Sequence, residues 1–127
     1  MIAYLSTDDL AAIIERVTGK PYDEEVNDIG LLAGAVARPR ARLEDVEAYD
    51  SLPLKAAALF ESLARNKPLV DGNLKAAWVA VNVFLELNHR RTTFTNNEAF
   101  ILVHEVAHGH IRLTETAARI EARIEAF

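Results

Sequence analysis

The chain has 127 residues, a formal net charge of −5, 50% hydrophobic and 26% charged residues, a balance that excludes a disordered protein. The absence of cysteine excludes disulfides and thiolate sites, the negative charge argues against a basic DNA-binding surface, and no apolar run is long enough to span a membrane. We expect one domain over residues 1–127, located in the cytoplasm, that binds neither nucleic acid by itself nor a membrane.

The first predicted helix begins at Ser6 or Thr7, either of which can cap it, and ends at Gly19. Apolar residues recur along it at i, i+3, i+4 and i+7: Leu10, Ile13, Ile14 and Val17. This spacing indicates one buried face.

Five further helices are predicted downstream, at about 29–38, 53–67, 73–88, 96–109 and from residue 114 onward. Pro39 ends the second helix, and Pro53 lies in the first turn of the third, where its missing N–H costs little. The polar stretch 40–51 is predicted to be a loop and 92–95 a short extended piece, while Ile124 is expected to face inward on the last helix. Six helices with almost no strand predict an all-α domain.

The segment between the third and fourth helices has the composition of an anion site. The free N–H groups and the dipole of a helix that starts near Asn73 attract negative charge, and Gly72 allows close approach of a ligand. Asp71 is suited to a divalent ion that bridges phosphates, and Lys67 and Lys75 add positive charge. These features favour a nucleoside phosphate, and the alternative is a capped turn between helices with surface lysines.

This segment also matches a known sequence motif, His-x-Phe/Leu-x-Asp/Asn-Gly/Ala-Asn-Lys-Arg, through Leu69, Asp71, Gly72 and Asn73. The flanking segments match as well: Asp28-Ile29-Gly30-Leu31-Leu32, Ala37-Arg38-Pro39, Leu63-Ala64-Arg65-Asn66, Ala77-Trp78 and Phe84-Leu85-Glu86-Leu87-Asn88. The chain thus resembles, over nearly its whole length, the Doc ("death on curing") branch of the Fic/Doc family. The resemblance implies a compact six-helix Fic/Doc fold.

The resemblance also implies a function, which is ATP-dependent transfer to a hydroxyl of a protein. Fic relatives usually transfer a nucleotidyl group, whereas Doc toxins phosphorylate a threonine of elongation factor Tu and stop translation. The expected cofactors are ATP and Mg²⁺. The expected partners are the protein target and a small Phd-like antitoxin, which folds a C-terminal helix onto the toxin and blocks it.

Site residues are carried over position by position. The resemblance makes Asp71 the ligand of Mg²⁺ and places Gly72 and Asn73 in the anion nest. Lys75 stands where the family has Arg, so the charge is kept and the bidentate fork is lost. Leu74 stands where the family has Lys, so one phosphate contact is missing.

Lys67 stands where the family has the His that acts as general base on the target hydroxyl. The ordinary pKa of lysine is about 10.4, and lowering it to 7 would cost roughly 4–5 kcal/mol. A neighbouring triphosphate opposes that shift because anions stabilise the ammonium. We therefore expect Lys67 to be a permanent cation. The first alternative is a toxin that still transfers from ATP by positioning and charge. The second is a pseudoenzyme that binds a nucleotide or a partner without chemistry.

A competing motif, H-E-x-x-H, is formed by His104, Glu105 and His108 and is typical of helical zinc proteases. A third ligand is needed, and the longer zinc-protease pattern would place it six residues further on, at Thr114. A glutamate ligand would have to come from the last helix, for example Glu115 or Glu121, which leaves little room for a cleft. The helical wheel places the motif opposite the apolar arc, which predicts a solvated face.

Three arginines alternate with other residues before the third helix, at Arg38, Arg40 and Arg42. They form either a contact strip for an acidic partner or part of a solvated loop. The resemblance places a flap that aligns the target segment at about residues 41–50.

Overall fold

The computed structural model describes residues 1–127 and has the predicted all-α fold. Seven α-helices make up most of the chain: α1 (Thr7–Thr18), α2 (Tyr22–Glu25), α3 (Ile29–Ala37), α4 (Leu52–Asn66), α5 (Asn73–Leu87), α6 (Asn96–Ala107) and α7 (Leu113–Ala122). A 3₁₀-helix (Arg38–Arg40) follows α3. Four short strands form two antiparallel pairs: β1 (Arg42–Leu43) with β2 (Val46–Glu47), and β3 (Arg90–Thr92) with β4 (Ile124–Ala126). No helix is both long and apolar enough to cross a membrane.

The structure has one short helix, α2, in addition to the six predicted, and the other differences also concern short elements. Helix α2 has only four residues and therefore no apolar periodicity. The stretch predicted as a loop contains the 3₁₀-helix and the hairpin β1–β2, whose two-residue strands show no alternating pattern. The predicted extended piece lies two residues earlier, as β3. The last helix ends at Ala122, and Ile124 begins β4 while its side chain still packs against the core.

The start of α1 follows the predicted capping chemistry. Ser6 accepts a hydrogen bond from the backbone N–H of Asp9, and the Asp9 carboxylate accepts one from the backbone N–H of Ser6. Gly19 ends the helix in the left-handed conformation, with φ +71°. The predicted face is buried at Leu10, Ile13 and Ile14. This arrangement directs the last turn of α1 towards the segment between α4 and α5.

Helix α4 lies at the centre of the fold and packs against α3, α5, α6 and α7. Small residues allow this close packing, and four of them are completely buried: Ala56, Ala57, Ala58 and Ala64. Ala56, Ala57 and Ala64 belong to one hydrophobic core of 25 buried residues, 24 of them outside the α4–α5 connection. The core thus fixes the end of α4 and the start of α5.

A buried lysine holds the hairpin β1–β2 against α4. The side chain of Lys55 is 2% exposed, and its ammonium donates to Glu47 Oε1 at 3.1 Å and to the Pro39 carbonyl at 3.2 Å. The ring of Tyr4 lies 5.5 Å from the same ammonium. Because the charge is paired and hydrogen-bonded, it is tolerated inside the fold.

The three alternating arginines do not form one strip or one solvated loop. Arg38 is half-buried and donates to the Tyr49 hydroxyl at 2.8 Å and to Glu61 Oε1 at 3.1 Å. Burial of the guanidinium lowers the pKa of Arg38, but the hydrogen bonds and charges of Tyr49 and Glu61 outweigh burial and raise it above its ordinary value. Arg40 donates to a backbone carbonyl of the N-terminal segment. Arg40 and Arg42 are exposed, so the two interpretations stay open for these two arginines and are excluded only for Arg38.

Both ends of the chain are held near the C-terminal end of α5. The side-chain amide of Asn88 accepts from the N–H of Ala3 at 2.8 Å and donates to the carbonyl of Ala3 at 2.9 Å. The C-terminal strand β4 pairs with β3, and the N–H of Phe127 donates to the His89 carbonyl at 3.3 Å. The α4–α5 connection lies at the opposite end of α5.

Candidate nucleotide site

The connection between α4 and α5 contains two backbone turns in the left-handed region. Lys67 ends α4 with φ +48°, and Gly72 precedes α5 with φ +74°. No side chain caps α5, and its first N–H groups have no intrahelical partner. The start of α5 therefore offers open donors and the positive end of a 15-residue helix to an anion.

The connection is held in place by the side chain of Asn73 and by backbone hydrogen bonds to residues 25–28. Asn73 accepts from the Leu69 N–H at 2.9 Å and donates to the Leu69 carbonyl at 3.0 Å. The carbonyl of Pro68 accepts from the N–H groups of residues 27 and 28, and Val70 donates to the Glu25 carbonyl at 2.8 Å. Because its side chain is used in this way, Asn73 contributes its backbone N–H, and not its amide, to the open end of α5.

All five residues that the sequence singles out line one surface depression of about 300 Å³: Lys67, Asp71, Gly72, Asn73 and Lys75. Lys67, Asp71 and Lys75 are exposed. Leu74 also lines the depression and packs partly against the core, and its aliphatic side chain offers no polar contact to a phosphate. Asp71 Oδ1 accepts from the N–H of Gly72 at 2.8 Å, which leaves Oδ2 without a partner in the protein.

The donor set fits the phosphates of a nucleotide with a bound magnesium ion. Open N–H groups and two ammonium groups surround the depression, and they match an anion. One carboxylate with a free oxygen is the usual protein contribution to Mg²⁺ when phosphates supply other ligands. The depression thus favours the anion-site interpretation over a capped turn, since no side chain caps α5.

Glu25 is a residue of this region that the sequence reasoning missed. It lines a second cavity of about 200 Å³, which shares Asp71, Gly72 and Lys75 with the depression. Glu25 is 2% exposed although it lies in the acidic run Asp-Glu-Glu, whose composition is typical of a solvated face. Burial of this one carboxylate follows from tertiary contacts alone, so no signal in the sequence marks it.

The H-E-x-x-H motif lies on α6, away from the depression. His104 and Glu105 are half-buried and only His108 is exposed, so the predicted solvated face is partly covered. Glu105 forms an ion pair of 3.1 Å with Arg119, and its hydrogen bond and charge raise the pKa of Arg119. His108 Nδ1 lies 2.7 Å from the carbonyl of His104. The glutamate is therefore held in an ion pair between helices.

Comparison with known proteins gives two matches. The sequence model of the Fic/DOC family matches residues 4–85. The chain is 41% identical over 122 residues to the protein named Toxin Doc from Mycolicibacterium smegmatis, an alignment that covers 94% of this chain and 92% of that protein. The matched residues include the whole connection between α4 and α5.

Proposed function

The chain belongs to the Fic/DOC family, and from this premise we propose that it is a Doc-like toxin that transfers a phosphoryl group, or a nucleotidyl group, from ATP to a hydroxyl of a protein target. The observation that carries the proposal is the depression at the start of α5, where open N–H groups, Lys67, Lys75 and Asp71 converge. Elongation factor Tu is the target that the family suggests. The proposed compartment is the cytoplasm, and the proposed inhibitor is a Phd-like antitoxin.

Each residue has a proposed role in the transfer. The open N–H of Asn73 and the ammonium of Lys75 hold the phosphates, Gly72 allows their close approach, and Asp71, which accepts from the Gly72 N–H through one oxygen, would hold Mg²⁺ through the other. The metal, when bound, neutralises charge on the phosphate oxygens. The proposed role of Lys67, which lines the depression, is to stabilise the charge of the transferred group and not to remove the proton of the target. Positioning and charge carry most of phosphoryl transfer, and this supports transfer without a histidine base.

The hairpin β1–β2 is the proposed flap for the target segment. Leu43 and Val46 face each other across its two strands, and they are 79% and 69% exposed. The edges of a two-stranded hairpin have free backbone groups that an extended peptide can pair with. The buried ion pair of Lys55 and Glu47 holds the hairpin in position for this task.

A second candidate function is a pseudoenzyme that binds nucleotide or a partner without transfer. Two observations favour it: a lysine replaces the basic histidine of the family, and the aliphatic Leu74 stands where the family has a phosphate-binding lysine.

Label transfer from ATP separates the two candidates. ATP labelled on the α- or on the γ-phosphate is incubated with elongation factor Tu and with cell lysate, and three proteins are compared: wild type, K67H/L74K/K75R, and Asp71→Asn. We expect wild type to label a target and Asp71→Asn to lose the label. Label from the γ-phosphate identifies a kinase, and label from the α-phosphate identifies a nucleotidyltransferase. If only the triple variant transfers label, the pseudoenzyme is the correct function.

A further inference from the structure

Oε2 of Glu25 is the one buried side-chain nitrogen or oxygen atom of the protein that has no hydrogen-bond partner. Buried carboxylate oxygens are almost always paired, so an unpaired one on a side chain that lines a cavity points to a donor that arrives with a ligand. The other oxygen, Oε1, lies 3.5 Å from the ammonium of Lys20, whose side chain is 61% exposed. This loose pair leaves acceptor capacity on Glu25.

The charges around the second cavity favour a neutral donor over a metal ion. Two carboxylates, Glu25 and Asp71, are balanced by two ammonium groups, Lys20 and Lys75. No group of three or more metal-ligating side chains is present there or elsewhere. A hydroxyl group satisfies the free oxygen without adding charge.

The position of the second cavity indicates which part of the ligand supplies this hydroxyl. It shares Asp71, Gly72 and Lys75 with the depression, so a ligand whose phosphates contact the start of α5 extends into it. In a nucleotide, the group next to the phosphates is the ribose. A carboxylate that accepts from ribose hydroxyls is a known means of recognising this sugar in dinucleotide sites.

We propose that Glu25 accepts a hydrogen bond from a ribose hydroxyl of the bound nucleotide and makes the site selective for ribonucleotides. This inference rests on the proposed function, because it needs phosphates at the start of α5. Glu25 is then a specificity-determining residue of the nucleotide site. It comes from α2, outside the loop that binds the phosphates.

Calorimetric titration of the full chain tests the proposal without any turnover. The ligands are ATP, 2′-deoxy-ATP, 3′-deoxy-ATP and tripolyphosphate, each with Mg²⁺. We expect one deoxy analogue to bind wild type about ten- to a hundredfold more weakly than ATP, since a hydrogen bond to a charged acceptor is lost. Glu25→Met, which removes the acceptor at similar volume, should bind ATP and that analogue equally and tripolyphosphate as wild type does. Glu24→Met is the matched control at an exposed neighbour and should keep the discrimination.

The outcomes separate this inference from the proposed function. Equal affinity of wild type for ATP and both deoxy analogues overturns the role of Glu25 and leaves the phosphate site intact. Discrimination that persists in Glu25→Met overturns it as well. If neither ATP nor tripolyphosphate binds wild type, the nucleotide site itself is wrong and both proposals fall. Should Glu25→Met fail to fold, Glu25→Gln, which keeps the shape of the side chain and removes its charge, takes its place and should weaken the discrimination; full discrimination in Glu25→Gln overturns the role of Glu25.

Discussion

Replacing Glu47 by alanine tests how the fold accommodates a buried charge. The variant removes the carboxylate that lies 3.1 Å from the ammonium of Lys55, whose side chain is only 2% exposed. The ammonium keeps the carbonyl of Pro39 and the ring of Tyr4 as neighbours but loses its counter-charge. Breaking a fully buried pair costs about 3–5 kcal/mol. Because Glu47 is 38% exposed, we expect a smaller loss of about 2–3 kcal/mol in the free energy of unfolding.

Removal of the other partner of the ion pair, in Lys55→Met, should lower the free energy of unfolding by less. It removes the buried charge at similar volume, and it leaves Glu47 partly in water with Arg42 at 3.8 Å. We expect a loss of about 1 kcal/mol or less, or a gain in stability. The difference in free energy of unfolding between the two variants measures the cost of leaving the buried ammonium without its counter-charge.

Urea unfolding, followed by the fluorescence of Trp78, measures both variants. This residue is the single tryptophan of the chain and packs between Phe60 and Phe94, so its emission reports on the core. Glu44→Ala, at an exposed position of the hairpin, is the control and should change stability by about 0.5 kcal/mol at most. A loss for Lys55→Met as large as that for Glu47→Ala would refute the reasoning, because the buried ammonium would then not be the source of the cost.

Three further predictions concern the nucleotide site and the start of α6. Gly72→Ala should lose about 1–2 kcal/mol in urea unfolding and bind ATP more weakly, because φ is +74° there, whereas Gly34→Ala, with open space around it, should not be destabilised. Asn73→Ala should lose about 1–3 kcal/mol, measured in the same way, because it removes two hydrogen bonds that hold the loop backbone. The backbone N–H of Thr95 lowers the pKa of Glu98 from its ordinary value of 4.5, so its contribution to stability is present above that pH and is lost as the pH falls through the lower value. Glu98→Gln should therefore show a weaker dependence of unfolding free energy on pH below about 4.5, and an unchanged acid profile would contradict this.

The long helices were predictable because their signals are local. Ser6 and Thr95 cap α1 and α6 through capping boxes, and Pro53 lies in the first turn of α4. The depression was predictable for the same reason, since Gly72 and Asn73 stand at the junction of a turn and a helix. All of its residues lie within nine positions of the chain, so no long-range contact is needed to bring them together.

The residues that were missed depend on contacts between distant segments. Glu25 is buried because Val70 pairs with its backbone across the fold, and nothing in the sequence distinguishes it from exposed Glu24. In the sequence, Lys55 does not differ from an exposed lysine on a helix. Its partner Glu47 lies in a hairpin whose strands are too short to show alternating apolar and polar residues. Arg38 was predicted to lie in either a contact strip or a solvated loop because its acceptors, on α4 and beyond the hairpin, are not apparent in the sequence. The contacts of these three residues are visible only in the tertiary structure.

The position of the chain ends relative to α5 has a practical consequence for protein engineering. Ala3 and Phe127 are both anchored beside the last turn of this helix, whereas the nucleotide depression lies at its first turn. A helix of 15 residues is about 22 Å long, so a fusion partner or a surface tether at either end is kept away from the ligand. Immobilised protein is thus suitable for binding measurements. A short linker joining the two ends would give a circular permutant, with new ends opened in an exposed turn.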